Sequence, residues 1–190
     1  DDSVSLVETF KARHGRLPMK ILVQKENKGI LPSYIWGAGV ARGNVVVMMH
    51  SDSALPTRGE LRQLVAPFEK ESASVVAAYP KVCHPESVWR TYNFWQKLMF
   101  APVVGAEPHG LNAKFDCFRK DVFLRVAQVW QSRYADTTEA GGEDWDLHSL
   151  LKAEGNVVAT EARVNHLHYS SDPFTLKDLI AKRQHLAKSY

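Results

Sequence analysis

Val45-Val46-Val47-Met48-Met49-His50-Ser51-Asp52-Ser53 is the stretch on which the fold reading turns. Five apolar residues, three of them Val, run without a break and give way at once to polar ones. The run is too short for a buried helix, and its β-branched content favours a strand buried on both faces, as in a parallel sheet. In open α/β sheets, ligands bind just beyond the carboxyl ends of the strands. His50 and Asp52 stand there, one residue apart, so on an extended strand end both side chains point to the same side. A carboxylate and an imidazole so placed predict a metal and nucleotide site.

Toward the N-terminus, Arg42-Gly43-Asn44 turns into this strand, and Leu31–Ala41 reads as a helix in which Gly37 and Gly39 imply close packing. Asp1–Arg13 reads as a polar turn running into a helix, with Leu6, Val7 and Phe10 at helical spacing and His14-Gly15 ending it. Met19–Gln24 reads as a short strand and Glu26-Asn27-Lys28-Gly29 as a turn. Toward the C-terminus, Thr57 is expected to N-cap a helix that runs to about Glu69, with Glu60 completing a capping box. Ala73–Tyr79 is the next strand. This alternation of helix and strand predicts βαβ units and a parallel sheet.

Pro85–Phe100 is rich in apolar and aromatic residues: Val88, Trp89, Tyr92, Phe94, Trp95, Leu98, Met99 and Phe100. Two readings are open, an amphipathic core helix and an exposed aromatic surface that touches an acceptor or a membrane. Val103–Leu111 is a Gly/Pro-bearing loop, Ala113–Arg119 a short strand, and a helix follows from Asp121. Ser132–Gly142 is polar and flexible in composition. Gly142-Glu143-Asp144-Trp145-Asp146-Leu147 opens a helix that closes at Glu154-Gly155. Asn156–Val164 is a strand with His166-Leu167-His168 at its end, and Thr175–Ser189 is a last amphipathic helix.

At 190 residues and 21.4 kDa the chain has the size of one domain, with an ordinary apolar fraction. A net charge of +3 is too weak to argue for nucleic acid. Cys83 and Cys117 make no disulfide framework and fit a reducing cytoplasm as two small buried hydrophobes. No apolar stretch reaches membrane-spanning length, and no signal peptide is recognisable. No phosphate-cradling Gly-x-x-x-x-Gly-Lys loop, Gly-x-Ser-x-Gly elbow or Cys-x-x-Cys pair occurs, which removes P-loop NTPases, α/β-hydrolases and structural zinc modules.

Four constellations carry chemistry. In His50-Ser51-Asp52 the carboxylate suits Mg²⁺ or Mn²⁺ against a diphosphate, and the imidazole suits Mn²⁺ or a hydrogen bond; a plain turn before the next helix is the alternative. In Glu143-Asp144-Trp145-Asp146, any one carboxylate is explained by the helix dipole. Three together repel, and one of them suits a general base. His166 and His168 lie on one face of a strand and suit a metal, or are two ordinary surface histidines. Asp1-Asp2-Ser3 suits a nucleobase or ribose, and Lys28 beside Asn27 suits a phosphate.

Taken in order, these motifs resemble the glycosyltransferase family 2 type of nucleotide-sugar transferase. Asp1-Asp2-Ser3 is similar to the family's Asp-Asp-x-Ser segment. Asn27-Lys28-Gly29 with Gly37–Gly43 is similar to its Asn-x-Gly … Gly-x-x-x-Ala-x-Gly pattern. His50-Ser51-Asp52 stands where the family has Asp-x-Asp, with His50 in place of the first Asp. Gly110–Arg119 resembles its acceptor-side glycine segment, and Gly142–Leu147 its Gly-Glu-Asp-x-Asp-Leu motif.

The resemblance implies an α/β GT-A fold, Rossmann-like, with a mostly parallel sheet flanked by helices. It makes residues 1–190 a single GT-A-like domain that lacks the family's first strand. It implies an inverting, metal-dependent transfer of a sugar from a nucleotide-diphosphate donor to a hydroxyl on a glycan, lipid or protein. Asp144, with Glu143, would be the catalytic base; Asp52 with His166 or His168 would bind Mn²⁺ or Mg²⁺. Asp1, Asp2, Asn27, Lys28 and His50 would face the donor, and Gly110, Asn112 and Trp145 the acceptor. The expected setting is the cytoplasm, at the inner face of a membrane if the aromatic surface makes a peripheral contact, with self-pairing of the chain as a further expectation and no nucleic-acid partner. The rival readings are a catalytically impaired GT-A-like binding or assembly module and, third, a nucleotidyltransferase on a similar sheet, for which no basic Gly-rich triphosphate loop is found.

Overall fold

The computed structural model describes residues 2–26, 28, 30–70, 74–107, 110–133, 143–167 and 174–187, except for the side chains of 70, 143–145 and 185–187. The chain divides into two compact units, Asp1–Val40 and Ala41–Tyr190, each described by itself.

The first unit holds α1 (Ser3–Arg13) and α2 (Ile30–Val40), both close to their expected bounds. The His14 amide closes α1 on the carbonyls of Phe10 and Lys11, and Lys11 and Arg13 in the last turn complement the helix dipole. Leu6, Val7 and Phe10 are exposed. Met19–Gln24 is not a strand: among the described residues it has no ladder partner, and a strand does not stand alone. Gly37 and Gly39 are not packing contacts either, since a Cβ at either would meet nothing within 4 Å.

The second unit is built on a five-stranded sheet of order β1-β4-β3-β5-β2. The strands are β1 (Val45–Met49), β2 (Ser53–Ala54), β3 (Val75–Cys83), β4 (Phe115–Arg119) and β5 (Asn156–His166). Flanking them are α3 (Glu60–Lys70), α4 (Glu86–Thr91), α5 (Phe94–Phe100), α6 (Lys120–Arg133), α7 (Glu143–Glu154) and α8 (Leu176–Ala187). The α/β class holds, but the pairing is mixed rather than mostly parallel. Among the described residues only β3 and β5 run parallel; β1 with β4, β4 with β3, and β2 with β5 are antiparallel. Helix–strand alternation in sequence does not reveal that β4 enters between β1 and β3 in the opposite sense.

Nor is β1 buried on both faces. It ends the sheet, and its burial alternates, with Val46 and Met48 inside and Val47 and Met49 exposed. The central strand β3 is the one that reads as a continuous apolar run, with Val75, Val76, Ala77 and Ala78 all buried. A core joins Leu64 and Phe68 of α3 to Val75, Ala78 and Val82 of β3, Phe115 and Cys117 of β4, and Ala162 and Val164 of β5. Cys83 is only half-buried, so one of the two cysteines is the expected small core residue.

Two local signals resolve differently from expectation. Thr57 Oγ1 does bond Glu60 Oε1, at 2.7 Å, but α3 begins only at Glu60. The buried Glu60 carboxylate instead accepts the Arg163 amide at 2.6 Å and ties the helix start to β5. The 85–100 stretch is two helices, broken at Tyr92-Asn93, where Asn93 and Gln96 form the capping box of α5. Tyr92 is buried while Phe94 and Leu98 are exposed, so the segment is part core and part surface. Among the described residues, no helix is long and apolar enough to cross a membrane.

Candidate functional site

β1 does not run out straight. The Ser53 amide donates to the His50 carbonyl at 3.2 Å, which closes a turn over Ser51 and Asp52. The chain then joins the end of β5 as β2, with Ser53 opposite His166. The Leu167 amide donates to the Asp52 carbonyl at 2.8 Å, and the Tyr92 hydroxyl donates to the Leu167 carbonyl. It is therefore this pinned turn, not strand alternation, that sets His50 and Asp52 face to face, with Nδ1 3.8 Å from Oδ1.

Two further side chains complete the cluster. His166, the last residue of β5, places Nε2 3.0 Å from Asp52 Oδ2. Lys114 reaches in from the loop before β4. Its Nζ lies 2.8 Å from His50 Nδ1 and 4.0 Å from Asp52 Oδ1. The loop that presents it is tightly specified. Buried Asp116 accepts the amides of Asn112 and Ala113, Asn112 Oδ1 accepts the Lys114 amide at 3.0 Å, and the Lys114 carbonyl accepts the His50 amide. Ala113 sits at φ +61°, in the left-handed region that costs a non-glycine residue about 1 kcal/mol. His84 stands behind, its ring centroid 5.2 Å from that of His166, and both border a small cavity walled by Trp89, Tyr92 and Phe100.

Electrostatics follow from this packing. An ammonium only donates, so His50 Nδ1 is the acceptor of the Lys114 bond and a neutral His50 carries its proton on Nε2. Burial and then the Lys114 charge push the His50 pKa down against the pull of Asp52. His166 is pushed down to about 4 by burial and Lys114, against its attraction and hydrogen bond to Asp52. Burial and Lys114 likewise lower His84. Burial raises the Asp52 carboxyl, but Lys114, His166 and His50 together hold it below its usual range. At neutral pH Asp52 is thus ionised, and His50, His84 and His166 are neutral.

The donor set fits a divalent cation in one particular way. Asp52 Oδ1 is buried and makes no hydrogen bond, and Oδ2 is next to an imidazole, so a carboxylate and a histidine converge. Among the described residues, no group of three or more His, Cys, Asp or Glu is disposed to hold a metal ion. Two protein ligands suit Mn²⁺ or Mg²⁺ bound together with substrate phosphates and water, rather than in an all-protein cage.

The other expected residues are placed as follows. Asp2 precedes α1 and gives its carbonyl to Ser5 Oγ and the Leu6 amide; its side chain makes no cap. Lys28 is exposed in the first unit. Asp1, Asn27 and His168 lie outside the described residues, and so do the side chains of Glu143, Asp144 and Trp145, whose backbone forms the first turn of α7. Asp146 lies 3.7 Å from Arg133, so one member of the acidic cluster has an ion-pair partner. Gly110 has φ +152°, and Asn112 positions Lys114. The sequence reading leaves out Lys114 and His84. Lys114 falls within the Gly110–Arg119 segment of the resemblance but was given no role there, and nothing marked His84.

The sequence pattern of Glycosyl transferase family 2 matches residues 1–123. No curated protein matches the chain in sequence. Among solved structures, the mannosyltransferase PcManGT from Pyrobaculum calidifontis, in complex with GDP-Man and Mn²⁺, superposes with a TM-score of 0.59 at 17% identity. It is matched over 100% of this chain and 51% of its own. GalNAc-T7 with UDP, GalNAc and Mn²⁺ superposes with a TM-score of 0.54 at 15% identity, over 96% of this chain and 39% of its own. The chain thus spans about half the length of the first structure and less of the second, and at such identities the likeness speaks to the fold. The fold is that of the GT-A glycosyltransferases, and the chain belongs to glycosyl transferase family 2.

Proposed function

We propose that this chain forms the donor-binding core of a nucleotide-sugar glycosyltransferase that inverts configuration at the anomeric carbon. The observation that carries the reading is the contact of Asp52 with His166 at the joined ends of β2 and β5, beside His50 and Lys114. It is supported by the family match, and by two fold neighbours whose structures hold Mn²⁺ with a nucleotide or nucleotide sugar.

In this reading Asp52 and His166 hold a divalent cation, and His166 carries its ring proton on Nδ1 when Nε2 is a ligand. Such a cation would supply positive charge against the leaving diphosphate. His50 faces the diphosphate side of the donor. Asp2 and Lys28, with Asp1 and Asn27, serve the nucleoside and its phosphates. Asp144, in the first turn of α7, takes the proton of the acceptor hydroxyl as that oxygen attacks the anomeric carbon. The bond to the diphosphate breaks on the opposite face, and its electron pair leaves with the phosphate oxygen. Glu143 keeps the Asp144 environment anionic, and Gly110, Asn112 and Trp145 line the acceptor side.

Calorimetric titration with UDP and GDP tests this. Mn²⁺ should tighten binding of one of them, and Asp52→Ala should remove that gain. Asp144→Asn should leave nucleotide binding near wild type and abolish sugar transfer from a donor panel. No nucleotide binding in the presence of Mn²⁺ would sink the reading, and retained turnover in Asp144→Asn would remove that residue from it.

A further inference from the structure

Lys114 has no role assigned in the sequence reading, yet among the described residues it is a cation that reaches both members of His50-x-Asp52. Its side chain is only 17% exposed. Lysine is rarely so covered without charged or hydrogen-bonding neighbours, and Asp52 and His50 are two of those that it has. Its position is built rather than incidental. Asp116 and Asn112 fix the loop backbone, Ala113 is held in a left-handed conformation to turn the chain there, and the Lys114 carbonyl is bonded to the His50 amide. An ammonium next to the cation-binding carboxylate repels a bare divalent ion and attracts an anion. Lysine also meets phosphate as a point charge with three donors, so one can turn from His50 to a phosphate oxygen without breaking the loop.

We propose that Lys114 is a built-in cation for the donor's diphosphate, so that this site binds a nucleoside diphosphate in part without a metal ion and binds bare metal weakly. The proposal rests on the donor-site reading above. It makes Lys114 a phosphate-binding residue that shares the charge of the leaving group with any cation held by Asp52 and His166.

The test is calorimetric titration of UDP, GDP and Mn²⁺ alone against wild type and Lys114→Met, with the nucleotides titrated both in chelator and in Mn²⁺. Wild type should bind one nucleotide in chelator, and Lys114→Met should weaken that binding by roughly tenfold or more. The same variant should bind Mn²⁺ alone more tightly, which a merely structural role for Lys114 would not produce. Lys114→Arg, which keeps the charge, should recover most of the chelator affinity and guards against a packing defect in the Met variant. Circular dichroism establishes that both variants fold. Unchanged nucleotide affinity of Lys114→Met in chelator, or unchanged Mn²⁺ affinity, overturns the proposal; so does failure of Lys114→Arg to recover binding. If wild type binds nucleotide only with Mn²⁺, this inference falls and the donor-site reading stands. If it binds in neither condition, the donor-site reading falls with it.

Discussion

Asp52 Oδ2 and His166 Nε2 lie 3.0 Å apart although 114 residues separate them in the chain. Nothing local brings them together. The β1–β2 turn delivers one, the end of β5 delivers the other, and the Ser53–His166 pairing locks the two segments in register. His166→Ala should therefore separate two contributions to nucleotide binding. The Mn²⁺-dependent gain should disappear, while binding in chelator, which depends on Lys114, should persist. The variant should also lose about 1.5–3 kcal/mol of stability, the usual worth of a hydrogen bond to a charged group. Titration with and without Mn²⁺, together with urea denaturation, checks both parts. Equal loss under both metal conditions would mean that His166 shapes the whole site rather than a cation position.

The histidines predict acid lability. His50, His84 and His166 all titrate below their ordinary value of about 6.5, through burial and then the Lys114 charge; burial and Lys152 do the same for His148. When a base has a lowered folded-state pKa, the unfolded chain takes the proton first. Stability should thus be full above pH 6.5 and fall as pH drops toward about 4, the His166 value. His166 alone contributes on the order of 3 kcal/mol to that fall. Asp52, also lowered, extends the loss in the same direction as pH passes below the ordinary carboxylate range. Thermal melts in chelator from pH 7.5 to pH 4 should show the decline, and His166→Gln, which cannot titrate, should flatten it. A melting temperature independent of pH over that window would contradict the burial of these rings.

How much of this was legible in the sequence depends on the range of the interaction. Helix bounds were read well at α1, α2 and α7 because the polar and glycine-bearing turns that flank them are local signals. The Met19–Gln24 strand failed because its apolar pattern carries no information about a partner. The parallel sheet failed at β4, since strand direction is set by where a segment enters the sheet. His50 and Asp52 were correctly singled out, but for the wrong geometric reason: a turn, not an extended strand, makes them neighbours. Neither Lys114 nor His84 was given a place in the site. A lysine or histidine in a loop looks like surface until the fold brings a carboxylate to it.

Asp116 offers a test of how the Lys114 loop is held. Its buried carboxylate accepts two backbone amides, those of Asn112 and Ala113, and strain at Ala113 is opposed by those bonds. Asp116→Ala leaves both donors without their acceptor, so stability should fall by about 2–3 kcal/mol. The effect should reach the site, with weaker nucleotide binding in chelator as Lys114 loses its fixed position. Urea denaturation and calorimetry read the two effects separately. Loss of stability with intact chelator binding would show that Lys114 finds the phosphate without this loop geometry.

Gly155 marks a close approach of the chain to its neighbours. It links α7 to β5, and a Cβ there would stand 2.6 Å from Val76 Cγ1 and 2.7 Å from the Ser74 carbonyl oxygen. The second of these is backbone, fixed by the Asn156 amide donating to that same carbonyl at 2.8 Å, so it cannot swing aside as a side chain could. Gly155→Ala should therefore destabilise the protein by about 1–3 kcal/mol, the range for overpacking a close contact, even though alanine has the better intrinsic helix propensity. The change lies at the opposite end of β5 from His166, so nucleotide affinity of the folded fraction should be unchanged. Urea midpoints and titration together check this, and a neutral or stabilising effect would mean that α7 does not approach β3 as closely as this packing requires.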